Sequence, residues 1–406
     1  MAEKLMKRFW WIAGVIVALE VVGIIFFLLT NKGQNIDLLT PAIWWAEEKE
    51  IEKKMEVVGF LPTWMIGKTK LYGSEVTQLV FLGIEVKPDG SLLWDVQSKK
   101  INSDNYLKLK ANITKTGGKN ILGIKLFKDK ELDQLIASDK AKKVLTEEVV
   151  HIVKAGGFDG VNIDFEYMSD PSRIMDDDFL AFMKSVKGGV WGEISVDVFA
   201  NTVIKGQVDR LSMLLESVDK VIVMAYDFHR PGSDYAGPVA PIEAPVGKRS
   251  ISEVTKKIVE AKLPAEKFIM AYPLYGYKWE TIGDSLGSAT MTGGYGATVL
   301  YKDPPSMENF GEEKWDEVSQ TPWFAWTEKE QRSRVVSKKV GTKIKKVTEY
   351  YEIDQWHQAY VENEESLKVK IDLAKEAKVG GIGYWALGYE GVESNLIQEL
   401  RNKVQE

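Results

Sequence analysis

Asp159, Asp164 and Glu166 stand among apolar residues in the stretch FDGVNIDFEY, residues 158–167. Buried charge is costly unless it is paired or put to use. In a strand, alternate residues face opposite sides. Val161, Ile163 and Phe165 then share one face, and Asn162, Asp164 and Glu166 share the other. The carboxyls of Asp164 and Glu166 become neighbours, about 6–7 Å apart at the backbone. Close carboxylates push their pKa values apart, so one keeps a proton near neutral pH, as a general acid must. Asp159 is out of register with that row. With Gly160 it suits a structural role in the turn before the strand. One alternative is a row of surface charges on an edge strand, which the apolar odd positions argue against. Another is a divalent-metal site, which Asn162 weakens.

The rest of the composition narrows the chemistry. The chain of 406 residues has no cysteine, which excludes disulfides, thiolate metal sites and cysteine nucleophiles. Its histidines are His151, His229 and His357, and none pairs at metal-ligand spacing such as H-E-x-x-H. No metal site is expected. The net charge of −6 and pI of about 5.5 give no argument for nucleic acid. Hydrophobic residues make up 45% and charged residues 28%, a globular balance.

Elements that could position the acidic row recur along the chain. Eight apolar runs bounded by turn signals read as buried strands: 56–64, 78–86, 120–127, 160–167, 193–201, 220–228, 267–277 and 379–388. Helical patterns such as DDFLAFMKSVKGGV and SLKVKIDLAKEAK lie between several of them. This alternation implies βαβ units and an α/β fold with parallel pairing. Eight such strands point to a closed (β/α)8 TIM barrel, with an open doubly wound sheet as the other arrangement. The polar face of 160–167 would point into the barrel and rise toward its C-terminal mouth, where barrel enzymes place their chemistry. The interval between the seventh and eighth runs is too long for one connection. It is aromatic and β-prone, and reads as a small α+β subdomain inserted at about 280–350 within a domain spanning 55–405.

The N-terminus has a different character. Lys4, Lys7 and Arg8 precede an apolar run over 9–30. That length spans a bilayer, and no small-x-small cleavage site follows it. The expectation is a single-pass signal anchor in the cell membrane, with a cleaved signal peptide as the alternative. Residues 1–8 would be cytoplasmic, 31–54 a stem and the barrel extracytoplasmic. Glu20 inside the span reads as a carboxyl neutral in lipid, or as a helix contact. Trp44 and Trp45 suit either the membrane interface or packing beneath the barrel.

At DGVNIDFE the chain resembles the D-G-x-D-x-D-x-E motif of glycoside hydrolase family 18, the chitinase-like barrels. Three more stretches are similar in order and spacing: MAYDFH to the sixth-strand M-x-Y-D, YPLYGYKW to the seventh-strand P-x-Y-G, and GGIGYWALG to the eighth-strand Trp segment. GPVAP and YVENEESLKVKIDLAKE resemble the bacterial spore-germination and cortex-lytic branch. The resemblance implies that Glu166 protonates the glycosidic oxygen. It implies that Asp164 orients the substrate's 2-acetamido group, whose own oxygen is the nucleophile, an exception to the two-carboxylate scheme. Tyr226 would hydrogen-bond the acetamide oxygen, Asp227 would add a polar contact, and Trp385 would form the subsite floor. Met224 belongs to the same sixth-strand segment. The partner implied is a glycan of N-acetylated aminosugars, and no cofactor is implied.

Two departures stand out. Asn162 occupies the position of the motif's innermost Asp, which in many members shares a proton with the next one. Asn keeps a hydrogen bond but cannot take the charge. The third strand carries Lys125 and Phe127 where chitinases have S-x-G-G, which argues against crystalline chitin. Among the many aromatic residues, Trp64 and Tyr275 follow strand ends and are expected to line the cleft. His229 is expected there too, as a partner of substrate or Asp227, with loop capping as the alternative. TGGYGA, residues 292–297, lacks the context of a phosphate loop. The leading expectation is a membrane-tethered glycosidase acting on peptidoglycan or chitin-like polymers. A non-catalytic glycan-binding protein is the alternative, and a transglycosylase would use the same residues.

Overall fold

A computed structural model describes residues 54–189, 192–245, 247–291, 293–303, 310–340 and 343–406. The expected anchor and stem, together with Glu20, Trp44 and Trp45, lie outside the described residues. Among the described residues no helix is long and apolar enough to cross a membrane.

Eight parallel strands close a barrel: β1 (Glu56–Pro62), β2 (Gln78–Glu85), β3 (Lys119–Leu126), β4 (Gly160–Phe165), β5 (Glu193–Phe199), β6 (Lys220–Met224), β7 (Phe268–Pro273) and, after an insertion, β13 (Gly381–Trp385). All eight fall on the apolar runs. β13 pairs with both β1 and β7, which closes the ring. The two faces of each strand go to different cores. Val161, Ile163 and Phe165 look outward and join the cluster under the helices. Phe165 stacks on Phe182 of helix Asp177–Gly189 at 5.9 Å. Val58, Phe60, Val80, Ile121, Ile222, Ile269 and Ala271 fill the lumen, and Tyr226 and Trp385 pack on top of them. Each such side chain taken from water contributes roughly 1.5–3 kcal/mol.

Local signals deliver β4 to its place. Helix Asp139–Gly156 starts at Ser138, whose hydroxyl accepts from Ala141 N–H. It ends at Gly157, in the left-handed conformation at φ 62°. Asp159 then locks the chain at the N-terminal end of the barrel. Its N–H donates to Asn120 O and its carboxylate accepts from Asn120 N–H, both at 2.8 Å. At Gly160 a Cβ would stand 2.1 Å from the Glu193 carbonyl oxygen, so β4 can approach β5 there only as glycine.

The insertion differs from the α+β subdomain expected at 280–350. It is a five-stranded antiparallel sheet spanning 275–361, in the order β10 (Lys314–Asp316), β11 (Thr321–Val340), β12 (Lys343–Val361), β8 (Tyr275–Thr281), β9 (Gly296–Leu300). Among the described residues between Thr281 and Glu364 there is no helix. β11 and β12 pair along their whole length, while β8 covers only Trp356–Val361 of β12. The rest is a two-stranded ribbon wet on both faces. Its charges pair across the strands, as in Arg334–Glu349 and Lys329–Glu352. β8 follows directly on β7, so Tyr275 and Tyr277 reach the barrel mouth.

Candidate active site

The C-terminal mouth of the barrel holds a cleft of about 340 Å³. Asp164 closes its floor from β4. Glu166 stands just beyond the strand end, held by its N–H on Leu126 O at 3.0 Å. Tyr226, Met224, Asp227, Tyr275, Trp64 and Trp385 line the same cleft. Trp385 sits at its base, 6.1 Å from Phe60 and 6.3 Å from Trp64 between ring centroids. The Trp385–Ala386 peptide is cis. Trp64 is 45% exposed, as is fitting for a ring that offers a face to a ligand. Lys125 and Phe127 form part of the wall.

The electrostatics follow from burial. Glu166 is pushed up to about 9, first by desolvation, then by the charge of Asp164. Asp164 is also held well above the usual carboxylate range, by burial and by Asp197 beside it. The interaction between the two carboxyls raises Glu166 further and opposes the rise of Asp164. Lys125 opposes both shifts. Burial raises the Tyr226 phenol well above its ordinary value, so it stays a hydrogen-bond donor. Asp227 adopts a left-handed backbone at φ 61°, a strained geometry for a non-glycine residue. Its carboxylate accepts from Tyr275 at 2.5 Å and from Tyr277 at 3.0 Å. Among the described residues no group of His, Cys, Asp or Glu side chains could hold a metal ion.

Two expected cleft residues lie elsewhere. Asn162 is fully buried below the cleft. Its amide donates to Ser195 at 3.1 Å and to Asp197 at 2.7 Å. β4 climbs toward the mouth, and position 162 is one pleat too deep to meet a ligand. His229 faces away, into a separate hollow with Tyr235 and Lys248. Its Nδ1 lies 2.9 Å from Pro238 O and its ring packs against Gly237. It ties down the loop after β6, which was the capping alternative.

Asp197, Tyr277 and Tyr389 line the cleft and were not expected there. Asp197 had a signal. In EISVDVF it is the last polar member of the alternation, nearest the mouth, on a strand next to β4. Tyr277 depends on the insertion folding back over the mouth, which no local pattern encodes.

A closed parallel barrel whose C-terminal mouth sets paired buried carboxyls among aromatic rings is the architecture of a barrel glycoside hydrolase. The chain belongs to the glycosyl hydrolases family 18, whose sequence model matches residues 56–390. It is 24% identical over 264 residues to the cortical fragment-lytic enzyme of Bacillus subtilis (strain 168), covering 64% of this chain and 53% of that one. It is 26% identical over 157 residues to a class V chitinase of Arabidopsis thaliana, covering 36% of this chain and 41% of that one. The chain spans about half the length of the curated relatives it matches. Among solved structures, the spore cortex-lytic enzyme SleL of Bacillus megaterium QM B1551 superimposes with a TM-score of 0.63. The identity is 19%, over 86% of this chain and 73% of that one. The GH18 chitinase of Cycas revoluta in complex with (GlcNAc)3 superimposes with a TM-score of 0.67. The identity is 17%, over 86% of this chain and all of that one.

Proposed function

We propose that the protein hydrolyses β-linked N-acetylhexosamine glycans with retention of configuration, using the substrate's acetamide as nucleophile. The observation that carries this is Glu166 beside Asp164 in an aromatic cleft, where burial pushes its carboxyl up to about 9. Glu166 gives its proton to the glycosidic oxygen as the C1–O bond breaks. The acetamide oxygen bonds to C1, its N–H directed to Asp164 and its oxygen to the Tyr226 hydroxyl. Water then adds to C1, losing its proton to the Glu166 carboxylate, and the acetamide is restored. Trp385 offers a flat floor to a sugar ring, and Trp64 and Tyr275 extend the aromatic wall.

Peptidoglycan-type glycan is the favoured polymer, with chitin-type oligomers second. Similarity to cortex-lytic proteins supports that order, as do Lys125 and Phe127 in the cleft wall. The basic flank and apolar run over 1–30 support a tether that holds the barrel outside the cell membrane. The test compares the full chain with Glu166→Gln on purified peptidoglycan and on N-acetylglucosamine oligomers, with products read by mass spectrometry. New reducing ends from the native chain and none from Glu166→Gln are expected. Binding by both without cleavage by either would replace a glycosidase with a glycan-binding protein.

A further inference from the structure

The carboxyl of Asp197 has no assigned part in this chemistry, yet it is 4% exposed in the same pocket. β5 pairs Ser195 with Asn162 and Val196 with Ile163. One residue further along, the same register sets Asp197 level with Asp164, on strands about 4.8 Å apart. Asn162 fixes the Asp197 carboxyl by an N–H···O bond of 2.7 Å. The motif position that lacks a carboxyl thus has one supplied from the neighbouring strand. We propose that Asp197 is a positioning residue that shares one proton with Asp164 and takes it fully when an acetamide N–H docks on Asp164. This rests on the glycosidase reading above.

The charge count favours such an arrangement. Asp164, Glu166 and Asp197 are three carboxyls in one desolvated cluster, and they cannot all ionise. Glu166 must keep its proton to act as acid. A dianion of Asp164 and Asp197, both nearly fully buried, is too costly, so when the pair ionises it keeps one proton and carries one charge. In the free site the Asn162 amide favours the charge on Asp197. An acetamide N–H arriving at Asp164 offers an equivalent bond there. The O–H bond at Asp164 then breaks, one forms at Asp197, and the pair's charge is unchanged. The groups facing Asp197 are few. Asn162, Asp164 and Glu166 come from β4 and the strand end, Ser195 from its own strand, and Tyr226 from beyond β6. Lys125 of β3 acts on Asp164 and Glu166, and Asp227 acts on Glu166. Burial pushes Asp197 up to about 8, with Glu166 adding to the rise and Asn162 opposing it.

The decisive variants are Asp197→Asn and the exchange Asn162→Asp with Asp197→Asn. In Asp197→Asn the new amide can still accept from Asn162 while donating to Asp164, so it mimics only the protonated state. Carboxyl titration is followed by NMR in full chain labelled with 13C at aspartate, alongside the pH profile of kcat on a chromogenic N-acetylglucosamine oligomer. In the native chain Asp164 and Asp197 are expected to titrate in two coupled steps. In Asp197→Asn a single step remains for Asp164, lower by about one pH unit or more. The acid limb of kcat moves down with it. The exchange variant restores two coupled steps, and carries the same test should the single variant fail to fold. An Asp164 titration unchanged in Asp197→Asn would overturn the proposal. A native chain with no turnover would refute the glycosidase reading alone, since the NMR titration decides proton sharing without substrate.

Discussion

The hydroxyl of Tyr275 stands 2.5 Å from Asp227, whose backbone is strained at φ 61°. A residue from the inserted sheet thereby holds a carboxylate from the barrel against the cleft. The tyrosine hydrogen bonds lower the Asp227 pKa against the rise caused by burial. Tyr275→Phe removes the shorter of two bonds to a charged acceptor, worth about 1.5–3 kcal/mol. kcat/KM is expected to fall about 10- to 100-fold. The thermal midpoint should fall by only a few degrees, because Tyr277 still donates to Asp227. Steady-state kinetics on a chromogenic oligomer, with calorimetry beside it, check both halves.

Glu166 titrates near 4.5 when unfolded and about 9 in the fold, with burial as the largest cause. Between those values the native chain holds a proton that the unfolded chain has released. Stability from this group is therefore full below pH 4.5 and is lost as pH rises toward 9. Glu166→Gln does not titrate. Its thermal midpoint relative to native should rise by roughly 5–10 °C between pH 5 and pH 9, the shift that about 5 kcal/mol of linked proton binding produces in a domain of this size. Differential scanning fluorimetry across that range reads it. A constant offset would mean that Glu166 is no more protonated in the fold than out of it.

The barrel was legible because each of its strands is a short apolar run with turn signals at both ends. The acidic row was legible because side-chain alternation alone puts Asn162, Asp164 and Glu166 on one face. Depth along the strand is a different quantity. Asn162 shares that face but lies beneath the cleft, and only the barrel's closed geometry separates a lining residue from a supporting one. Asp197 escaped notice because one carboxyl in ISVDVF gains meaning only from its register with Asp164. The inserted sheet was read with a helical part because the outer halves of β11 and β12 are charged on both faces. Such a ribbon carries little hydrophobic period, and its cross-strand ion pairs form between residues distant in sequence.

If the acetamide is the nucleophile, a substrate that lacks it has no route to the intermediate. Fully deacetylated glucosamine oligomers should then be cleaved at least about 1000-fold more slowly than their acetylated counterparts. A neutral or cationic mimic of the bicyclic oxazolinium intermediate should bind about 100-fold or more tightly than an oligomer of equal length. Asp164→Asn should weaken the mimic more than it weakens the oligomer, because the charge on Asp164 matters most once the ring nitrogen becomes positive. Isothermal titration with both ligands separates the two effects. Equal losses would mean that Asp164 only helps to bind the sugar.

A last prediction concerns the junction where the inserted sheet returns to the barrel. Glu362 follows β12 directly, and Lys370 lies two turns into helix Glu364–Glu376. Their side chains pair at 2.7 Å, 1% and 0% exposed respectively. The Tyr272 hydroxyl of β7 donates to the Lys370 carbonyl at 2.9 Å, so the pair sits against the strand that leads into the insertion. Removing one partner leaves a charge buried without a counterion, which costs about 3–5 kcal/mol. Lys370→Met should therefore lower the unfolding free energy by that amount in a urea titration. Adding Glu362→Leu should recover most of it, since a dry apolar pair of similar size replaces the ions without stranding either. Additive losses in the double variant would show that the two side chains act through other neighbours.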